Sequence, residues 1–416
     1  MEVSYNLRYQ KSNFSNRILL DKEGEVVIYA KGFRLKGKGA GDKGKLINFS
    51  EIKEFYYREK KVIFITFGKE KYVLSDSGPL FDQMLMDIYK ARNEFLMDAL
   101  FMKGGKLKAE FECDFQRLSK FGNLINKGIG KIRLYERSMI VIPSDQDAFS
   151  LHYDFVNFYE FDEYEYALKV VMDLGSTIVI SKLGNDFDTF KEKMESLLGG
   201  MYEKLVNEIL REAFPHFNAA TLLKFGYKMK GGKAVSLKDI TKMDADLAES
   251  VEEFIFEDKT FKDKVSILRD LTNDYEVFYG LKKDESLSNG FIKWVMYTIP
   301  SKNIVAFSIL PRWKEGESET NDTFFYRIIM EQGNAADKVA DKMMEVDQAL
   351  ITLDFAKDPC YKDKRELKHS PYQYAIRKLP FLRILRKSFI GKVGAVEVKD
   401  WQAQVKEMFT KSEIKS

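Results

Sequence analysis

The chain has 416 residues, 45% of them hydrophobic, 14% aromatic and 31% charged, which excludes a disordered chain and leaves room for about two to four domains. A formal net charge of +3 excludes binding to polyanions by bulk charge, so any electrostatic role rests on local segregation. Two widely separated cysteines, Cys113 and Cys360, exclude a disulfide framework and suit a reducing compartment.

Residues 1–76 read as short strands. The runs EVVIYAKGFRL, KLINFSEI, KEFYYRE, KVIFITFG and KYVLSD are rich in β-branched and aromatic residues and are separated by Gly/Lys/Asp turns. From Pro79 the period changes: Phe81, Met84, Leu85, Ile88, Phe95 and Ala99 predict an amphipathic helix closed by Gly104-Gly105. The same order of events follows, with strand-like runs over about 106–182 and a helix carrying Phe187, Phe190, Met194, Leu197, Met201, Leu205 and Ile209. Gly78-Pro-Leu-Phe81-Asp82 opens the first helix and Gly184-Asn-Asp-Phe187-Asp188 the second. Gly333-Asn-Ala-Ala-Asp337 stands at a third such junction. Upstream, Gly44-Lys-Leu-Ile-Asn-Phe-Ser-Glu-Ile52 echoes Gly232-Lys-Ala-Val-Ser-Leu-Lys-Asp-Ile240.

These echoes predict three related units, at 1–104, 105–215 and 216–356, followed by a basic extension over 357–416. The third departs from the pattern, since 241–271 reads as helical where the first unit continues in strands.

Six or seven antiparallel strands followed by one amphipathic helix resemble the pleckstrin-homology-like superfold. The resemblance implies an α+β class: tandem units, each a strongly bent antiparallel sheet or partly open barrel capped by a C-terminal helix, with the third unit elaborated by extra helices. It covers the first two units, roughly half of the chain, and the third in part. That superfold includes phosphoinositide binders, peptide binders that add a strand and purely structural copies, and it supplies no catalytic residues, so function has to be argued from sites.

The stretch KGAGDKGK, 38–45, fits the letters G-x-G-x-x-G. A dinucleotide fingerprint needs a helix directly after its last glycine, whereas KLINFSEI reads as a strand. What remains is a basic hairpin in which Arg34, Lys36, Lys38, Lys43 and Lys45 are candidate anion or phosphate ligands. The alternative is a solvated edge turn. Asp154, Glu160, Asp162, Glu163 and Glu165 are interleaved with aromatic residues. Alternation predicts that many of the acids face outward and the rings face the core, as a docking patch for a basic partner or as plain amphipathic patterning.

From Lys357 to Lys392, Lys and Arg number 11 against 3 Asp and Glu. At its centre PFLRILRKSFIG predicts a short helix with Phe381, Ile384, Leu385 and Phe389 on one face and Arg383, Arg386 and Lys387 on another. That helix either lies in an anionic membrane interface or docks on the third unit.

His152, His216 and His369 lack metal-ligand spacing, and no recognised catalytic motif is present. The expectation is therefore a non-catalytic binding or scaffold protein with no cofactor, no metal and no small-molecule substrate. The N-terminus has no continuous apolar stretch and no window approaches 18 uncharged apolar residues, so a cytoplasmic chain is expected, peripheral at the membrane in the sharper reading. The partner is then an anionic lipid surface. Alternatively it is a protein segment, received by strand addition or at the acidic hairpin. Nucleic-acid binding, with Tyr372, Tyr374 and Phe381 stacking on bases, lacks a motif.

Overall fold

The structure, a computed structural model, describes residues 2–13, 15–39, 41–256, 259–272, 276–284, 290–309, 322–328, 335–394 and 397–413. The chain divides into two compact units, 1–197 and 198–416.

The first unit holds two curled seven-stranded antiparallel sheets. The strands of the first are β1 (Val3–Ser12), β2 (Ile18–Tyr29), β3 (Gly32–Gly37), β4 (Lys45–Asn48), β5 (Ile52–Arg58), β6 (Lys61–Thr66) and β7 (Lys71–Ser75), followed by helix α1 (Phe81–Ala99). The second repeats the series as β8 (Leu107–Leu118), β9 (Leu124–Tyr135), β10 (Ser138–Pro143), β11 (Phe149–His152), β12 (Val156–Asp162), β13 (Ala167–Met172) and β14 (Thr177–Ser181), followed by α2 (Phe187–Lys204). Strand order is β4-β3-β2-β1-β7-β6-β5 in one and β11-β10-β9-β8-β14-β13-β12 in the other.

The likeness extends to single residues. β1 pairs with β7 from Arg8↔Ser75 to Ser12↔Lys71, and β8 pairs with β14 from Asp114↔Ser181 to Leu118↔Thr177. Register shifts fall at Lys11/Ser12 and Arg117/Leu118, and again at Ile52/Glu54 and Val156/Phe158. Such bulges sharpen the local twist, which is how a long strand bends around a core. Gly78 (φ 61°) and Gly184 (φ 56°) take left-handed backbone immediately before the two helices, a conformation that costs glycine nothing. The junctions aligned by sequence are therefore equivalent in structure.

Period-two alternation fills each core. In β1, Tyr5, Leu7 and Tyr9 are buried while Ser4, Asn6 and Arg8 face out. Helix α1 closes the first core with Phe81, Met84, Leu85, Ile88 and Tyr89 on one face. Beyond that face α1 also reaches the second sheet. Arg92, wholly buried, donates to both carboxylate oxygens of Asp147 at 2.6 and 2.8 Å. Asn93 donates to the carbonyls of Pro143 and Gln146 and accepts from the Ala148 amide.

The second unit is built differently. Its sheet runs β15 (Val235–Ser236), β16 (Glu276–Asp284), β17 (Gly290–Ile299), β18 (Ile304–Ile309), β19 (Thr323–Arg327) and β20 (Phe389–Val393), paired in that order. Both faces carry helices. On one, Tyr279, Val295, Tyr297 and Phe325 share a core with Leu222, Phe225, Leu247, Val251, Leu268, Trp401 and Val405. On the other, Phe324 and Tyr326 meet Tyr361 and Phe389, and Trp294 meets Phe355. Burial on both faces explains why β18 is apolar apart from Ser308, which pairs with the Thr323 hydroxyl, and why every one of its residues is buried. Gly280 lies opposite Trp294, where a side chain would collide with the indole, and the indole N–H donates to the Gly232 carbonyl at 2.7 Å.

Two expectations change here. The third sheet has a different strand order from the first two, so it is not a further copy of their arrangement. No boundary falls at 356/357 either, because the sheet takes β20 and the helix Val398–Glu413 from the supposed extension. The helical reading of 241–271 matches the helices Leu237–Met243, Ala245–Ile255 and Lys259–Leu271. In the third junction Gly333 and Asn334 lie outside the described residues, and a helix begins at Ala335.

Candidate functional site

The glycine loop joins β3 to β4, with a strand directly after Gly44. It holds an internal anion. The Asp42 carboxylate accepts from the amides of Gly44 (2.9 Å) and Gly37 (3.1 Å) and pairs with Lys22 at 3.3 Å, contacts that lower its pKa. The Gly37 and Gly44 amides are thus taken by an internal carboxylate, and those of Lys38 and Asp42 by the carbonyls of Glu23 and Gly39. The candidate cations are engaged too: Lys36 pairs with Glu25 (3.5 Å), Lys38 with Glu23 (2.8 Å) and Lys45 with Glu70 (2.9 Å), while Arg34 lies over the Tyr29 ring. Burial alone would raise the pKa of Glu70, but hydrogen bonds from Lys11, Lys45 and Tyr72 bring it to about 2. Lys43 is exposed. An open hollow of about 530 Å³ lined by Lys22, Glu23, Gly37, Lys38, Gly39 and Asp42 remains, its two cations matched by two acids.

The basic helix spans Pro380–Ser388, and Phe389 already belongs to β20. Leu385 and Leu382 are fully buried, Phe381 and Phe389 half-buried, and Ile384 is exposed with Arg383 and Lys387. Arg386 donates to the carbonyls of Pro359 and Lys362, both at 2.6 Å. Of the face expected to enter a membrane, Leu385 is packed inside the protein, Phe381 and Phe389 are half-covered and Ile384 stays in water, while Leu382, not among the residues expected on that face, is buried with Leu385.

The acidic hairpin departs from expectation in the opposite direction. Asp154 is buried in the 3-10 turn Tyr153–Phe155 and does not join the outward acids. Glu160, Asp162, Glu163 and Glu165 are exposed, but so are Phe158 (52%), Tyr164 (96%) and Tyr166 (54%). Period-two alternation sets Phe158 on the same face as Glu160 and Asp162, and the bulge at Val156/Phe158 puts that face opposite buried Val156, leaving Phe161 to pack on Phe187 and Phe190.

One feature had no sequence signal beyond hydrophobic residues beside a turn. The β1–β2 and β8–β9 hairpins end in identically built tips. Asn13 accepts from the amides of Ser15 and Arg17 through its side chain, and Ser119 accepts likewise from Phe121 and Asn123. Asn16 and Gly122 supply the left-handed position, a conformation tolerated by these two residue types. Each tip is followed by two exposed apolar residues, Ile18-Leu19 and Leu124-Ile125, and the second adds Phe121, 78% exposed, with Lys120 beside its ring.

Among the described residues no helix is long and apolar enough to cross a membrane, and no group of three or more His, Cys, Asp or Glu side chains could hold a metal. Neither a protein-family model nor a curated protein matches the chain.

Proposed function

We propose that the chain is a non-catalytic binding protein whose first two sheets are tandem pleckstrin-homology-like barrels and which attaches peripherally to anionic phospholipid surfaces. Support for the build comes from the shared strand order, the matching bulges and the helix after each last strand. Support for the attachment comes from one observation: two side-chain-caged hairpin tips hold Ile18, Leu19, Phe121, Leu124 and Ile125 in water, next to the exposed cations Arg17, Lys120 and Lys127. A tip held by its own hydrogen bonds enters an interface without the entropy cost of ordering a loose loop. Burying a large apolar side chain completely is worth roughly 1.5–3 kcal/mol, and each nearby cation adds about 1 kcal/mol at an anionic leaflet. Partial insertion of one tip therefore gives reversible attachment. Both cysteines are free and buried, which suits a reducing compartment.

Vesicle flotation tests the reading, with neutral and anionic liposomes at low and physiological salt. The full chain should float on anionic vesicles, less so as salt rises. The F121S/L124S/I125S variant should stay at the bottom. If flotation survives that triple change and the matching I18S/L19S change together, the tips do not carry attachment.

A further inference from the structure

The β12–β13 hairpin presents a second surface, built from different residues. β12 ends its sheet, with a hydrogen-bonded strand on the β13 side only among the described residues. Its outward face carries Phe158, Glu160 and Asp162 in alternation, and the turn that follows adds Tyr164, Glu165 and Tyr166, all exposed. The turn is rigid, since Asp162 Oδ1 accepts from the amides of Tyr164 (2.9 Å) and Glu165 (3.0 Å). Glu163 is held apart by Lys191.

The fold itself does not require this composition. The equivalent strand of the first barrel, β5, has Glu54, Tyr56 and Arg58 on its outward face. Glu54 pairs with Lys53 and Arg58 with Glu59, and its turn continues into Lys60 and Lys61. Between Val156 and Leu168 there is no lysine or arginine at all. Three solvent-exposed rings on a sheet edge are an aggregation hazard that natural edges normally cover or interrupt with cations. Along β12 and its turn every charged side chain is acidic, with Lys169 of β13 facing Glu160 and Lys191 pairing with Glu163, and that excess of carboxylates selects the occupant: rings and carboxylates together suit a cation with an alkyl stem.

We propose that the β12 edge and its turn form a docking site for an extended lysine- or arginine-rich segment of a protein partner. The segment lies along β12 and pairs with its backbone. Alternate basic side chains reach the carboxylates of Glu160, Asp162 and Glu165, and their stems and charges lie against Phe158, Tyr164 and Tyr166.

The test uses the full-length chain and a fluorescein-labelled twelve-residue peptide of alternating lysine and threonine, read by anisotropy. A second peptide of the same composition, with all lysines in one block, serves as a control for spacing. Binding should be at least tenfold tighter for the alternating peptide. It should weaken tenfold or more in F158S/Y164S and in E160Q/E165Q, two surface variants that leave the Asp162 turn intact. No binding, equal affinity for both peptides, or affinity unchanged in F158S/Y164S each overturns the proposal. Self-association abolished by F158S/Y164S without peptide binding also overturns it, because the surface would then belong to a second copy of the chain.

Discussion

Arg92 on α1 and Asp147 in the β10–β11 turn form a two-pronged ion pair in which the guanidinium is wholly enclosed and the carboxylate is partly open to water. Phe55 lies under the guanidinium at 5.0 Å. Removing the carboxylate strands a buried charge, whereas removing the arginine leaves a carboxylate that water can reach. Asp147→Ala should therefore destabilise the first unit more than Arg92→Ala, by about 3 kcal/mol against about 2 kcal/mol. Hydrogen exchange at the amides of 144–148 reports the difference. Protection unchanged from the parent in both variants would show that the pair does not hold the two sheets together.

His152 makes the second sheet and its core sensitive to acid. Burial and the nearby Arg137 charge lower its pKa from 6.5 to about 4, so the folded state keeps it neutral. The unfolded chain binds a proton between those two values and the folded one does not. This contribution to stability is complete above pH 6.5 and is lost as pH falls toward 4. The expected loss is roughly 3 kcal/mol between pH 7 and pH 4. His152→Phe should flatten that part of the stability profile; a profile as steep as the parent's would assign the effect elsewhere.

Asp42 organises the glycine loop, so its loss should act locally. Asp42→Ala deprives the Gly37 and Gly44 amides of their acceptor and should cost about 1 kcal/mol. Limited proteolysis should then cut between Lys38 and Lys45 in the variant and spare the parent. In the flotation assay K38E/K43E should change little, since Lys38 is already paired with Glu23; strong loss would restore the loop as the phosphate contact.

Leu385 lies wholly inside the second unit, and Leu385→Ala should cost about 2–4 kcal/mol. Ile384→Ala, on the exposed side of the same helix, should cost under about 0.5 kcal/mol. Denaturation followed by Trp294 and Trp401 fluorescence, both buried in this unit, separates the two. Equal costs would mean that the helix does not pack as described.

Much of the first unit was legible in sequence because its cores rest on period-two alternation and a switch to helical spacing at Phe81 and Phe187. The paired glycine junctions at Gly78 and Gly184 mark the repeat where strands give way to helix. β1 had no separate run among those quoted, since its buried Tyr5, Leu7 and Tyr9 alternate with strongly polar neighbours. The second unit was harder: β20 pairs with β19 across a long helical stretch, and no local pattern announces so distant a partner. Candidate sites suffered from a related blindness. Composition shows lysines, but not that Glu23, Glu25 and Glu70 stand beside them. It shows aromatics among acids, but not that a bulge before Phe158 turns that ring outward.

The late arrival of β20 bears on biosynthesis. Every strand of the first sheet and the helix that follows it lie within the first hundred residues, so that they can assemble while the ribosome is still at work. The third sheet has no such freedom. Its last strand and the helix over Trp401 and Val405 must leave the exit tunnel first, and until then the buried aromatics of β19 wait uncovered. A chaperone would therefore have to guard Thr323–Arg327 until that helix has emerged.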